Sequence, residues 1–368
     1  MTLASCGTAA TGESVQSASD GDFAITEHGS LEEPWAIKFV PGTSVAVVTL
    51  KAGEIRGIDT QSSDRAIAIT GAPDVDYGGQ GGLGDVAFLE SEAAGTLTPR
   101  TIFLSWVEAG ENDTRGAVVG KGQMVCEGQQ SCEIRGLNVI WRQDPKVTGR
   151  GHFSHRLAVS PDEQYLFVAS GERQKMQPAQ DTSNNLGSIV RLTLDGTPAA
   201  DGAVAGNDEI WSYGHRNILG LRFDPQGRLW DLEHGPAGGD ELNLVKPGAN
   251  YGWPVVSDGD HYDGAKIPNH DTRPEFEKYK VNWTPVIAPG DMIFYTGGLF
   301  GGWQGDLLIP GLKTEALIRV EMNGDTAREA ARYPMKARLR SIAQAPDGAV
   351  WVVEDGESAR LLRLAPQE

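Results

Sequence analysis

The chain has 368 residues, a formal net charge of −18, and 47 glycines and 20 prolines spread along its whole length. An acidic balance of that size argues against a nucleic-acid partner, which needs a basic face, and no run of about 20 apolar residues marks a transmembrane helix. So much glycine and proline favours many short strands joined by turns over long helices, and the length allows two ordinary domains or one large all-β unit.

Residues 1–20 read as a disordered leader. Within it Leu3-Ala4-Ser5-Cys6 has the pattern of a bacterial lipobox, followed by a small, polar stretch suited to a tether. No apolar stretch precedes it, so a lipid anchor through Cys6 and an ordinary leader both stay open. From residue 21 to 368 one pattern recurs: a short apolar strand, a Pro/Asp/Gly turn, and a second strand rich in Val, Leu or Trp. It is clearest at 35–50, 157–172, 221–233 and 342–354, and weaker at 83–105 and 292–311. About six such units spaced by roughly 40 to 80 residues fit propeller blades with loop insertions. The expected fold is all-β, a six-bladed β-propeller with long loops over the channel mouth, rather than a pair of sandwiches. The spare strand at 23–26 is expected to close the ring beside 361–364. Cys126 and Cys132 favour a disulfide over two free thiols, and with it an oxidising compartment, periplasm or cell envelope.

The unit at 209–254 carries the most chemistry. Strands at 219–223 and 229–233 meet at the turn Asp224-Pro225-Gln226-Gly227. His215, Arg216 and Asn217 come just before this hairpin, and His234-Gly235-Pro236 and Asp240-Glu241 just after it. The longest segment without strand alternation, 258–285, reads as a lid or rim loop.

Several motifs sit where strands begin. Gly78-Gly79-Gln80-Gly81-Gly82-Leu83 is a glycine loop entering a strand. No βαβ unit follows, so it is not a dinucleotide fingerprint; it is a plain turn or a place where Gln80 meets a ligand. Gly151-His152-Phe153-Ser154-His155-Arg156 offers His152 as a general base, against a histidine that merely caps a strand. Arg216 and Asn217 suit recognition of a carboxylate and a carbonyl. The oxygens of 233–241, gathered by glycines, suit calcium or make an acidic turn. Arg216, Lys313, Arg338 and Arg340 would form a positive pocket for a polyanion, against ordinary surface pairing.

Taken together and in order, GGQGGL, GHFSHR, YGHRN, EHGPAGGDELN, NYGWP, GLK and RLR resemble one family. The chain resembles the soluble quinoprotein glucose/sorbosone dehydrogenases, and among them the bacterial aldose sugar dehydrogenases that use pyrroloquinoline quinone (PQQ), over about residues 30–366. The resemblance implies a six-bladed propeller with PQQ on its axis. It assigns His152 as the base, with Gln80 and Arg216 beside it in catalysis. Gln80, His152, Arg216, Asn217, Tyr262, Lys313, Arg338 and Arg340 become the PQQ contacts. The carbonyls of Gly235 and Pro236 would hold the Ca²⁺ that meets PQQ, and Glu241 with the Tyr251 carbonyl a second, structural Ca²⁺. Trp283 would line the cofactor or substrate wall.

The implied reaction is hydride transfer from the anomeric carbon of an aldose to PQQ. It yields a lactone and passes electrons to an external acceptor, in a monomer or homodimer. In that family's pattern the position of His155 is more often a small residue, so its imidazole is expected to alter substrate access. The Arg173 position varies there and carries no assignment. A calcium-dependent lactonase is the rival catalytic propeller; it would place acids and amides where this chain has cations and imidazole. A binding propeller without cofactor is the non-enzymatic rival.

Overall fold

Turn chemistry sets the strands locally. A computed structural model describes residues 16–17, 23–62, 65–128 and 130–367. In the turn at 224–227, Gly227 has φ 78°, open to glycine without steric cost. Asp224 Oδ1 accepts the N–H groups of Gln226 and Arg228, each at 2.9 Å. The strands it joins are Ile218–Phe223 and Leu229–Glu233, with Leu221 opposite Asp231. At 345–349 the same device recurs, with Asp347 Oδ1 accepting from Ala349 at 2.9 Å.

Antiparallel groups of four strands follow one another. The first holds Pro34–Phe39, Val45–Leu50, Ile55–Asp59 and Arg65–Thr70, and the second Leu83–Phe88, Arg100–Ala109, Arg115–Glu127 and Ser131–Arg142. These two share one eight-stranded sheet, because residues 131–133 pair parallel with 68–70. The third holds Ser154–Val159, Tyr165–Ser170, Ser188–Thr193 and Ile210–Tyr213. The fourth holds Ile218–Phe223, Leu229–Glu233, Asp240–Leu244 and Val281–Trp283, and the fifth Ile293–Phe294, Leu307–Pro310, Ala316–Asn323 and Thr326–Pro334. The sixth joins Leu339–Gln344, Val350–Glu354 and Ala359–Pro366 to Phe23–Leu31 from the other end of the chain, with Ile25 opposite Leu364. The expected closure by 23–26 is present. Within the leader, Gln16–Ser17 forms a short edge strand against Ala24 and Ile25, where no structure was expected. Cys6 lies outside the described residues.

Apolar contacts hold neighbouring groups face to face. Ile37 and Val48 of the first group pack with Trp351 and Val353 of the sixth. Phe103 and Val119 of the second pack with Leu157 and Val168 of the third. Equivalent clusters join first to second, third to fourth, fourth to fifth and fifth to sixth. The groups therefore close a ring, and the architecture is propeller-like.

Charge fills the ring's centre. Each group sends one residue there, from its first strand or just before it: Lys38, Asp85, Arg156, Arg222, Asp291 and Ser341. Arg156 lies 3.3 Å from Asp85 and 3.4 Å from Asp291, and all three are fully buried. Arg222 meets Asp291 at 2.9 Å, Ser341 donates to it at 2.6 Å, and Lys38 stands 3.9 Å away.

Two expectations change. The segment 258–285 is not all loop, since Val281–Trp283 is the outer strand of the fourth group, too short to show alternation in sequence. Trp283 is therefore a core residue rather than a wall of the site; it packs with Trp230 and Leu242 and donates its indole N–H to Glu329 at 2.7 Å. The second group's outer strands form an extended hairpin, with the Cys126–Cys132 disulfide at directly opposed positions near its tip.

Candidate active site

Two strained segments face each other at the third group. His152, Ser154 and His155 have φ of 49°, 59° and 48°, and opposite them Arg173, Gln174 and Met176 have φ of 61°, 58° and 60°. Non-glycine residues held there cost about 1–3 kcal/mol each and cluster at functional sites. Arg173 holds the loop in place. It donates to the carbonyls of Gly149, Gly151 and Arg115 and stacks over Phe153 at 3.7 Å. The backbone N–H of His152 donates to Gln80 Oε1 at 2.7 Å, which explains the glycine loop around Gln80.

His152 Nδ1 bonds Glu172 Oε1, and Glu172 Oε2 accepts the N–H of Met176 at 2.6 Å. Burial pushes Glu172 upward, but its hydrogen bonds from His152 and Met176 and the nearby Arg216 charge hold the carboxyl below its ordinary value. Glu172 is thus ionised and takes the Nδ1 hydrogen, leaving Nε2 with a lone pair. Burial, with Arg216 adding to it, pushes the His152 imidazole below its ordinary range despite Glu172, so it stays neutral and basic at neutral pH. Glutamine at 172 would keep the shape and lose the charge. Glu172→Gln is expected to lower kcat by about tenfold or more with KM little changed and to shift the acid limb of the pH profile downward, as steady-state kinetics would show.

Beside this pair lies a cavity of about 200 Å³ lined by Trp35, Lys51, Gln80, His155, Asn217, His234, Arg338 and Arg340. Both arginines are tied to one carboxylate: the Nε groups of Arg338 and Arg340 each donate to Asp355 at 2.8 Å. Burial raises Asp355, but Arg340 and Arg338 hold it below its ordinary value, so it stays charged and fixes both cations. Lys51 pairs with Glu33 at 2.9 Å. One of the expected cations sits elsewhere. Arg216 lies at the adjoining small pocket, its Nη1 donating to the His234 carbonyl at 3.0 Å and its Nη2 to the Tyr262 hydroxyl at 3.2 Å, while its buried Nε has no partner among the described residues. Lys313 is exposed, next to Leu312 of the cavity lining. Tyr262 is 77% exposed, held at the rim by Arg216.

The small pocket gathers Arg216, Glu233, Gly235, Glu241, Tyr251 and His270. The carbonyls of Gly235 and Pro236 accept no hydrogen bond from described residues, and the turn is braced by Asp240, which accepts from Gly235 and Ala288 at 2.9 and 2.7 Å. Burial lifts the Glu241 carboxyl well above its ordinary value, and Glu233, Asp231 and Asp258 add to that. This crowd of carboxylates and free carbonyls is a donor set that a hard cation would neutralise. His270 enters the same set from the 258–285 segment. Its Nε2 bonds the Tyr251 carbonyl at 3.1 Å and its Nδ1 lies 3.8 Å from Glu241. His215 belongs to the core instead, bonded to Ser212 at 2.9 Å and Glu233 at 3.2 Å and stacked on Tyr251.

Glu172, Asp355, Lys51 and His270 were not singled out from sequence. A signal existed for the first: the second strand of the recurring unit leads to a glutamate in three copies, Glu172, Glu233 and Glu354. The first two of these hold the His152 ring and the Arg216 backbone.

Comparison with known proteins agrees with this geometry. Residues 31–363 match the family model described as glucose / sorbosone dehydrogenase. The aldose sugar dehydrogenase YliI of Escherichia coli K12 is 35% identical over 92% of this chain and 91% of its own length. Quinoprotein glucose dehydrogenase B of Acinetobacter calcoaceticus is 26% identical over 56% of this chain and 59% of its own. The apo crystal structure of the soluble Escherichia coli aldose sugar dehydrogenase superposes with a TM-score of 0.84 at 34% identity, covering 93% of this chain and 99% of that one. With its strand groups closed in a ring and a neutral imidazole set beside a cation-lined cavity, the chain belongs to the glucose/sorbosone dehydrogenase family.

Proposed function

We propose that this protein is a PQQ- and Ca²⁺-dependent aldose dehydrogenase on a six-bladed propeller. It oxidises the anomeric hydroxyl to a lactone and passes the electrons to an external acceptor. The observation that carries the reading is the Glu172-held His152 imidazole beside the Arg338/Arg340 cavity. The residues present fit an anionic quinone: two arginines braced by Asp355, an amide at Gln80 and another at Asn217, and, at the adjoining pocket, a buried Arg216 whose Nε–H has no partner among the described residues. They also fit a cation at the free Gly235 and Pro236 carbonyls, and a second one at Glu241 would have to share the Tyr251 carbonyl with His270.

PQQ, when bound, supplies the hydride acceptor. The chain supplies the rest. His152 Nε2 takes the hydroxyl proton, Glu172 balances the imidazolium that results, and Arg216, Arg338 and Arg340 hold and neutralise negative charge. The Cys126–Cys132 disulfide supports a periplasmic or cell-envelope location, and a lipid anchor at Cys6 extends the same proposal.

Reconstitution tests the reading. Metal-stripped protein given PQQ and Ca²⁺ is expected to reduce a dye with aldoses only when both are present. Absence of PQQ binding at micromolar concentration with Ca²⁺ would overturn it and leave lactone hydrolysis or ligand binding alone to be assayed.

A further inference from the structure

His155 lines the cavity, and one nitrogen of its buried ring has no partner among the described residues. Its neighbours fix the tautomer. Ser105 has one hydroxyl hydrogen, and it goes to the carbonyl oxygen of His155 at 2.7 Å, because a carbonyl cannot donate. The same Oγ accepts the N–H of Asp85 at 2.8 Å. In the remaining contact, 3.0 Å between Ser105 Oγ and His155 Nδ1, the imidazole is therefore the donor. Nδ1 carries the hydrogen and Nε2 the lone pair. Burial, with the Arg156 charge adding to it, pushes His155 down to about 3, so the ring stays neutral over the working pH range.

The ring is locked in this orientation. Trp35 packs against it at a tilt, ring centres 4.7 Å apart, and Phe153 meets it edge-on at 6.4 Å. Gly84 makes the room, for a Cβ there would stand 2.0 Å from His155 Cε1. Nε2 is buried and has no partner among the described residues, an arrangement that costs stability until a donor arrives. The charged side chains of the cavity, Lys51, Arg338 and Arg340, can only donate. His155 thus holds a fixed, buried acceptor in a residue of this wall, whose charged side chains are all donors.

We propose that His155 is a ligand-reading residue, its Nε2 accepting a hydrogen bond from an N–H or O–H of the molecule that fills this cavity. The inference rests on the quinoprotein reading, and the donor belongs either to the cofactor or to a sugar hydroxyl. A ligand lacking that hydrogen leaves the lone pair unpaired and is discriminated against.

Two variants separate the ring's nitrogens. In His155→Asn the amide reaches the Nδ1 place and keeps the bond to Ser105, but the Nε2 acceptor is gone. In His155→Gln an amide oxygen reaches the Nε2 place. Wild type and variants are titrated with PQQ in the presence of Ca²⁺ and without sugar, and KM and kcat are then measured over a series of aldoses and deoxy-aldoses. A cofactor donor predicts PQQ binding weakened about 5- to 10-fold in the Asn variant and largely restored in the Gln variant. A sugar donor predicts unchanged PQQ binding and a KM raised by a similar factor, with one deoxy-aldose insensitive to the substitution. An Asn variant equal to wild type in both measurements overturns the proposal. Melting temperatures reveal a variant that folds poorly, and His155→Phe, which keeps a ring without a lone pair, then takes the place of the Asn variant. The ¹⁵N resonance of Nε2 in wild-type protein reads the bond independently of turnover, shifting on addition of whichever ligand donates. Failure of the wild type to bind PQQ overturns the quinoprotein reading, and this inference with it.

Discussion

Alanine at position 152 is expected to lower kcat by about 10²–10⁴-fold, the range associated with a positioned general base. Cofactor binding should survive, because the bond that ties this loop to Gln80 comes from the His152 backbone N–H, which alanine keeps. Steady-state kinetics with saturating PQQ and Ca²⁺, beside a direct PQQ titration, reads the two effects apart. The pH profile of the wild type carries the same information. Burial pushes the His152 imidazole below its ordinary value of 6.5, so the base remains unprotonated into mildly acid solution. The acid limb of kcat/KM should therefore lie below the usual imidazole range, and a limb at or above that range would contradict the buried geometry.

The second large effect concerns the ring's centre. Asp291→Asn keeps the shape of the side chain but leaves Arg156, Arg222 and Lys38 facing Asp85 alone. Removing one partner from a buried ion network costs about 3–5 kcal/mol, and the loss should appear as a lower urea midpoint and poor recovery of folded protein. Lys38→Met is expected to behave in the opposite way. Burial pushes the Lys38 ammonium down to about 8 from 10.5, with Arg222 adding to it against the pull of Asp291. Between those two values the unfolded chain binds a proton that the folded chain does not, so the stability of the wild type should rise with pH across that window. Below about 8 the full penalty is present. The Met variant removes it, and its stability should be level with or above wild type near neutral pH and lack the alkaline rise. Urea unfolding over a pH series decides both points.

These two predictions draw on different kinds of knowledge. His152 stood out in sequence because GHFSHR stands in order with six other motifs, while its imidazole alone fitted either a base or a strand cap. The strand–turn–strand units were legible too, since the chemistry of Asp, Pro and Gly acts over four or five residues and leaves its mark locally. The closing pair of 23–26 with 361–364 followed from a spare strand at each end. The axial network was not legible. Lys38, Asp85, Arg156, Arg222, Asp291 and Ser341 are spread over some three hundred residues, and none is unusual in its own segment.

The same limit explains the site. The sequence by itself determined the strand units and most of the polar groups at the unit entrances, because short-range patterning and residue chemistry specify them, and it favoured the Cys126–Cys132 disulfide over free thiols. Only the tertiary structure decided which partner each group meets. It gave Glu172 to His152 and Asp355 to both Arg338 and Arg340, left Lys313 exposed, moved Trp283 into the core, and placed His270 on the Tyr251 carbonyl. Closure of the ring brings together side chains that lie far apart along the chain, and burial then sets their charge. Neither effect is written in any one segment.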